Sequence, residues 1–371
     1  MFRSRAKKNR GQTERFPVFA ILAAHLTVLT ASLKGWGGNR KTFRLSPVFL
    51  TAALLAQEPA RFSSNVNLVH AVATVKTPSG QTISTLQKGD FEVYANGVRQ
   101  EIAVFEHQTE KKLSVALLVD VSGSTAKELA YEADSAGRFV RALFGEGNPE
   151  DSLKLWTFNW RITQETRGYT RDLKTIAERL KGMHGEAGTA LYDSIYYAAR
   201  DLEPREGRKV IVVVTDGGDT ASNRADIHSA LEEAQLADAV IYAIIVVPIS
   251  SQAGRNIGGE HALQYMAEGT GGRTFLPTIG AALDKAFNDI LTELRTQYLI
   301  GFYPHNLPAT KERFHKLEVR TKNPDLRVSA RNGYYEEVEG GSGSPDDRIS
   351  VSPERQSKPQ PTSQPKKKQE D

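Results

Sequence analysis

Three stretches of the chain are apolar almost without interruption: Leu113 to Val119, Val210 to Val214 and Val240 to Val247. Strands of a parallel sheet have this pattern, because helices cover both of their faces. Between these runs the period changes. Leu129, Ala133, Ala136, Val140 and Leu143 recur at four- and three-residue steps over 126–144, which predicts one apolar helix face. Residues 172–183, 190–203, 224–237, 260–268 and 279–296 are helix-like in the same way. Gly269-Thr270-Gly271-Gly272 ends one of these helices, since glycine accepts the left-handed closing conformation. Strand–helix alternation of this kind predicts an α/β fold with an open, doubly wound, mostly parallel sheet.

Both flanks read as strands. Val66, Leu68, Ala71, Ala73 and Val75 alternate with polar neighbours, and Thr77-Pro78-Ser79-Gly80 makes a turn. Phe91-Glu92-Val93-Tyr94, Ala95-Asn96-Gly97 and Ile102-Ala103-Val104-Phe105 predict a hairpin, because Asn-Gly adopts the positive φ angles of a tight turn. Beyond 296, Tyr298 to Tyr303, Phe314 to Thr321 and Leu326 to Ala330 are strand-like. The two flanks are expected to meet in a small β-rich unit. The expected organisation is a leader over 1–56, an N-terminal β segment over 65–110, the α/β domain over 111–296, a C-terminal β segment over 297–338 and a tail over 339–371. The tail holds Gly, Ser, Pro, Gln and charges with too little apolar surface to offset chain entropy, so it is expected to be disordered.

Composition narrows the chemistry. The 371 residues contain no cysteine, which excludes disulfides, thiol catalysis and cysteine-ligated metal. The net charge of +4 is misleading, because residues 1–56 hold ten Lys/Arg against the single acid Glu14, so the remaining chain is net acidic. Nucleic-acid binding by the body is therefore not expected. The same leader carries a targeting pattern. Arg3, Arg5, Lys7, Lys8, Arg10 and Arg15 precede the apolar run Phe16 to Leu33, which Pro17 and His25 weaken as a membrane helix. Lys34, Arg40, Lys41 and Arg44 then precede Leu45 to Ala56, a second secretory pattern with cleavage expected after Ala56. A translation start near Val28 would leave only the second leader. Export is expected, to the periplasm, the cell surface or the medium, with a membrane anchor through this segment as the alternative to cleavage.

The candidate chemistry lies where the apolar runs end. The first ends in Asp120-Val121-Ser122-Gly123-Ser124 before a helix, and ligands of open α/β sheets bind at the carboxyl ends of strands. Gly188-Thr189 opens the helix beginning Ala190-Leu191, and the second long run ends in Thr215-Asp216-Gly217-Gly218-Asp219. An all-oxygen donor set with few charges suits Mg²⁺ or Mn²⁺ far better than zinc.

Asp120-x-Ser122-x-Ser124, the distant Thr189 and the later Asp216 resemble the metal-ion-dependent adhesion site of von Willebrand factor A-type domains. With Asp90-Phe91-Glu92-Val93 and Asn96-Gly97 upstream, and Gln297-Tyr298-Leu299-Ile300-Gly301 and Arg331-Asn332-Gly333-Tyr334 downstream, the resemblance extends over roughly 65–336 to bacterial exported relatives of that domain. It implies a Rossmann-like domain over 111–296. It also implies metal contacts from Ser122, Ser124 and, in one conformational state, Thr189, with Asp120 and Asp216 acting through bound water. A coordination position is left for a carboxylate from a partner protein. The implied function is non-enzymatic, cation-dependent protein binding.

Each element also has a plainer explanation. Ser122 or Ser124 could cap the following helix, Thr189 could be an ordinary N-cap, and Asp216-Gly217 an ordinary turn. Asp219 is expected to support a turn rather than to ligate. A metal-dependent hydrolase and a scaffold with a vestigial site are the rival functions. Ser124-Thr125-Ala126-Lys127 matches the SxxK of penicillin-binding enzymes, but the Lys-Thr-Gly partner motif is missing from the sequence. His184, His228 and His261 are expected at the surface, and Trp156 and Trp160 in the core. Lys366-Lys367-Lys368 reads as solvated tail.

Overall fold

The computed structural model describes residues 68–107, 111–125, 128–246, 256–308 and 313–335. The expectations for the leader over 1–56 and the tail over 339–371 lie outside them, as does Lys127. Among the described residues no helix is long and apolar enough to cross a membrane. The strands are β1 (Val69–Lys76), β2 (Phe91–Ala95), β3 (Val98–Gln100), β4 (Ile102–His107), β5 (Leu113–Asp120), β6 (Ser152–Phe158), β7 (Ile162–Gln164), β8 (Arg208–Thr215), β9 (Ala239–Ile245), β10 (Thr274–Phe275), β11 (Tyr298–Phe302), β12 (Phe314–Thr321), β13 (Arg327–Ala330) and β14 (Gly333–Tyr335). The helices are α1 (Leu129–Glu146), α2 (Leu173–Lys181), α3 (Leu191–Leu202), α4 (Ile227–Leu236), α5 (Ile257–Thr270) and α6 (Ala281–Thr296).

The central sheet has the order β10-β9-β8-β5-β6-β7, parallel except for the edge strand β7. Its apolar runs are buried on both faces, as their patterning predicts. Val115, Leu117 and Val119 of β5, Val210, Val212 and Val214 of β8, and Val240, Tyr242 and Ile244 of β9 face one core with α1, α2 and α6. Their neighbours Ala116, Leu118, Ile211, Val213, Ile241 and Ala243 face the other, under α3, α4 and α5. The period of two along a strand divides each run between the two cores. From β5 the chain first moves outward to β6, then returns to β8 on the opposite side. A crevice therefore opens at the carboxyl ends of β5 and β8, where the connections diverge.

The flanking strands form two antiparallel sheets, β13-β1-β11-β4 and β14-β12-β2-β3, packed around a third core. That core includes Ala71, Ala73, Phe91, Val93, Ile102, Tyr298, Ile300, Phe302, Leu317 and Tyr334. One expectation is corrected. Asn96 (φ 48°) and Gly97 (φ 80°) do make a two-residue hairpin, but it joins β2 to β3, not to the 102–105 segment. The chain changes sheets after Gln100, and β4 pairs with β11. Crossing lets Ile102 point into the core that both sheets share.

Polar ties join this β unit to the α/β domain. Glu293, on α6, accepts from Lys76 of β1 at 2.6 Å and pairs with Arg273, while its side chain is only 4% exposed. Gln297 donates to the Tyr242 hydroxyl at 2.8 Å and accepts from Arg208 at 2.7 Å. Removing one partner of a buried pair leaves the other uncompensated, so Glu293→Ala should lower stability by about 3 kcal/mol. Urea unfolding would check this, and a loss below about 0.5 kcal/mol would show the pair to be energetically idle.

Candidate metal centre

Asp120 ends β5 and is fully buried. Its Oδ1 accepts the Ser122 backbone N–H at 2.8 Å, and its Oδ2 accepts the Thr215 hydroxyl at 2.6 Å. Thr215, at the end of β8, also accepts the Gly217 N–H through the same hydroxyl at 3.0 Å. Burial pushes the Asp120 carboxyl up to about 6; these hydrogen bonds oppose the shift and the nearby Asp216 charge adds to it. Asp216 itself is half-buried beside them.

The loop after Asp120 is folded upon itself. Thr125 donates its hydroxyl to the carbonyls of Asp120 (3.1 Å) and Ser122 (3.0 Å), and its own carbonyl accepts the Glu128 and Leu129 N–H groups. Glu128 is the N-cap of α1, so neither serine caps that helix. The Ser122 and Ser124 hydroxyls instead lie 3.0 Å from each other.

Thr189 reaches the same place through backbone pairing. Ser122 bridges to Glu186, whose N–H donates to the Val121 carbonyl at 2.9 Å. Gly188 then turns with φ 84° against Trp160, where a Cβ would sit 2.9 Å from the Trp160 Cβ. The Thr189 N–H donates to the Thr220 hydroxyl at 3.0 Å, and its carbonyl accepts the Thr220 and Ala221 N–H groups. Thr189 is not the cap of α3 either. Asp219 takes that role from the β8 loop, its Oδ1 accepting the N–H groups of Leu191 (2.8 Å) and Tyr192 (3.3 Å) and the Ser222 hydroxyl. This agrees with the supporting part expected for Asp219.

Three loops are thus tied in a ring: 120–124 to 186–189 by the Ser122–Glu186 bridge, 186–189 to 220 by Thr189–Thr220, and 215–217 back to 120 by Thr215–Asp120. The ring brings together the loops of Asp120, Ser122, Ser124, Thr189 and Asp216. Among the described residues no group of three His, Cys, Asp or Glu side chains could hold an ion. A cation here would need hydroxyl as well as carboxylate oxygens. The donor chemistry suits a hard divalent ion, which would also relieve the charge concentrated at Asp120 and Asp216.

Sequence reasoning missed three contributors. Thr215 braces Asp120. Asp193 of α3 accepts the N–H groups of Asn223 (3.0 Å), Arg224 (3.0 Å) and Ala225 (2.7 Å), fixing the loop after β8. Glu132, in the first turn of α1, is only 1% exposed, and neither of its carboxylate oxygens has a hydrogen-bond partner among the described residues. Burial, followed by repulsion from Asp120, Asp216 and Glu128, pushes Glu132 up to about 8. Its signal in the sequence was an acid on the apolar face of a helix. Of the two tryptophans, Trp156 is buried as expected, but Trp160 is not a core residue. Its indole N–H donates to Glu186 at 3.1 Å and Arg161 stacks on its ring, at the rim of the ring of loops. His184, His228 and His261 are exposed, as expected.

Residues 114–289 match the von Willebrand factor type A domain family. No curated protein matches the chain. Among solved structures, the chain is similar to the vWF domain of the type V pili tip protein Mfa5 from Porphyromonas gingivalis, with 14% identity over 49% of this chain and 94% of that one (TM-score 0.41). It is also similar to the PilB minor pilin from Streptococcus sanguinis, with 15% identity over 51% of this chain and 62% of that one (TM-score 0.40). A third is a von Willebrand factor type A protein from Catenulispora acidiphila, with 12% identity over 68% and 74% of the two chains (TM-score 0.41).

Proposed function

We propose that the chain, whose residues 114–289 match the von Willebrand factor type A domain family, is a non-enzymatic, exported binding module. In this reading Asp120, Ser122, Ser124, Thr189 and Asp216 hold Mg²⁺ or Mn²⁺. The bound ion would supply an electrophilic coordination position for an Asp or Glu side chain of a partner protein. The ring of ties among the three loops supports the reading, because it joins the loops that carry these five residues at the strand-end crevice where open α/β sheets bind ligands.

The chain's own residues have separate parts. Thr215 and the Ser122 N–H engage both oxygens of Asp120, fixing its orientation. Ser122, Ser124 and Thr189 offer neutral oxygens, so the direct ligands leave most of the ion's charge for an incoming carboxylate. Asp219 and Asp193 satisfy the neighbouring backbone donors, which keeps Asp216 and Thr189 from being drawn into capping.

The test is a thermal melt of the full chain with Mg²⁺ or Mn²⁺ and with EDTA. At a hundredfold excess over Kd the ion should raise Tm by about 5–10 °C. EDTA should reverse the rise, and Asp120→Ala and Ser124→Ala should abolish or strongly reduce it. A wild-type Tm indifferent to both ions would overturn the reading.

A further inference from the structure

We propose that Glu132 is an outer-shell carboxylate of this same centre, accepting hydrogen bonds from the water that the cation retains. The inference rests on the metal reading above. Glu132 lies between Leu129 and Ala136 on the face of α1 that packs into the core, where an apolar residue is the ordinary choice. A buried carboxyl whose two oxygens lack partners destabilises the chain in either protonation state, as an uncompensated charge or as an unsatisfied polar group. No contact among the described residues offsets that penalty, which makes Glu132 a candidate to be satisfied by something the chain binds. Two observations point to the cation site. Asp120 and Asp216 are close enough to Glu132 to raise its proton affinity. The first turn of α1, where Glu132 stands, directly follows the loop of Ser122 and Ser124, and this end of a helix favours negative charge.

An outer-shell position fits better than direct ligation. Among the described residues no three carboxylates could share one ion. Mg²⁺ keeps several of its waters, and groups that orient such waters tune affinity strongly. Glu132 is thus a positioning residue, acting on the ion through water and satisfied only when the site is loaded.

Two variants of the full chain test this, Glu132→Gln and Glu132→Leu, each melted without metal and titrated with Mn²⁺ and Mg²⁺. Glu132→Gln keeps the shape and removes the charge; Glu132→Leu fills the same space with an apolar group. Glu132→Leu should melt higher than wild type in EDTA, while Glu132→Gln, which keeps an unsatisfied polar group, should melt level with wild type at pH 7 and bind the ions about tenfold more weakly. A purely structural residue would not produce this combination. If wild type responds to metal and Glu132→Gln binds with the same Kd, the inference fails while the metal reading stands. A metal-free Tm that falls in both variants also overturns it, by showing that Glu132 has an internal partner. A wild type indifferent to metal overturns the metal reading and this inference with it.

Discussion

Gly259→Ala should cost about 3 kcal/mol or more of stability and weaken the proposed metal-induced rise in Tm, although Gly259 is none of the five candidate donors. The N-terminus of α5 lies directly on the turn that follows Asp216. A Cβ built at Gly259 would fall on the carbonyl oxygen and carbon of Gly217 and within 2.9 Å of the Gly218 Cα. All of these are backbone atoms, so no side chain can swing aside. Asn256 tightens the same seam by accepting the Gly259 N–H at 2.9 Å and lying against Gly218. Either α5 retreats and opens the core around Leu263 and Met266, or the turn moves and carries Asp216 with it. The neighbouring Gly258 is the control. It is exposed, and its Cβ would meet only the Asn256 side-chain oxygen, at an ordinary 3.5 Å. Gly258→Ala should therefore be neutral or stabilise by up to about 1 kcal/mol through helix propensity. Urea unfolding of the two variants, with Mn²⁺ titrations alongside, would check the contrast. Equal stabilities would mean that the seam is looser than its backbone contacts indicate.

The same seam illustrates what a sequence can and cannot reveal. The doubly wound core was legible because the runs at the centres of β5, β8 and β9 are apolar almost without interruption, and only strands covered on both sides need that. The five candidate donors were legible because each stands at a strand end or before a helix, where local pattern marks the edge of the sheet. Contacts made across the fold were not. Which residue caps α3 depends on Asp219 arriving from a loop 28 residues later, and nothing local to Thr189 announces it. The sheet change at Gln100 was hidden because β3 and β4 follow one another with a single residue between them, and a strand-like run does not say with which strand it pairs. The buried face of α1 includes Leu129, Ala136, Val140 and Leu143 as expected, but it is wider than the pattern showed. Glu132 and Phe139 are buried while Ala133 is only partly so, and an acid at an inward position is the one residue that a hydrophobic pattern assigns outward.

Acid should stabilise the metal-free chain. The carboxyls of Asp120 and Glu132 bind protons more tightly when folded, with values pushed up to about 6 and about 8 from ordinary values of 3.8 and 4.5. Between its ordinary and raised values each group holds more protons in the folded than in the unfolded chain. Stability therefore falls as pH rises through that window. For Asp120 the loss develops between 3.8 and about 6, and for Glu132 between 4.5 and about 8. The loss is on the order of 3 kcal/mol for Asp120 and on the order of 5 kcal/mol for Glu132. Asp151 and Glu233, also raised mainly by burial, act in the same direction. Asp172, held low by hydrogen bonds from the Thr175 hydroxyl and N–H, and Asp226, held low by those from the Ser229 N–H and hydroxyl, lose their contribution only below about pH 4, outside this window. In EDTA, Tm should thus be higher at pH 5 than at pH 8, and the combined Asp120→Asn and Glu132→Gln variant should flatten most of the difference. A divalent cation inverts the balance, because it competes with protons for the same carboxylates. The Tm gain from Mg²⁺ should be largest at pH 8 and nearly lost at pH 5. A metal-free Tm that climbs from pH 5 to pH 8 would contradict the argument, since it requires those two carboxyls to be better accommodated as anions in the folded chain than in water.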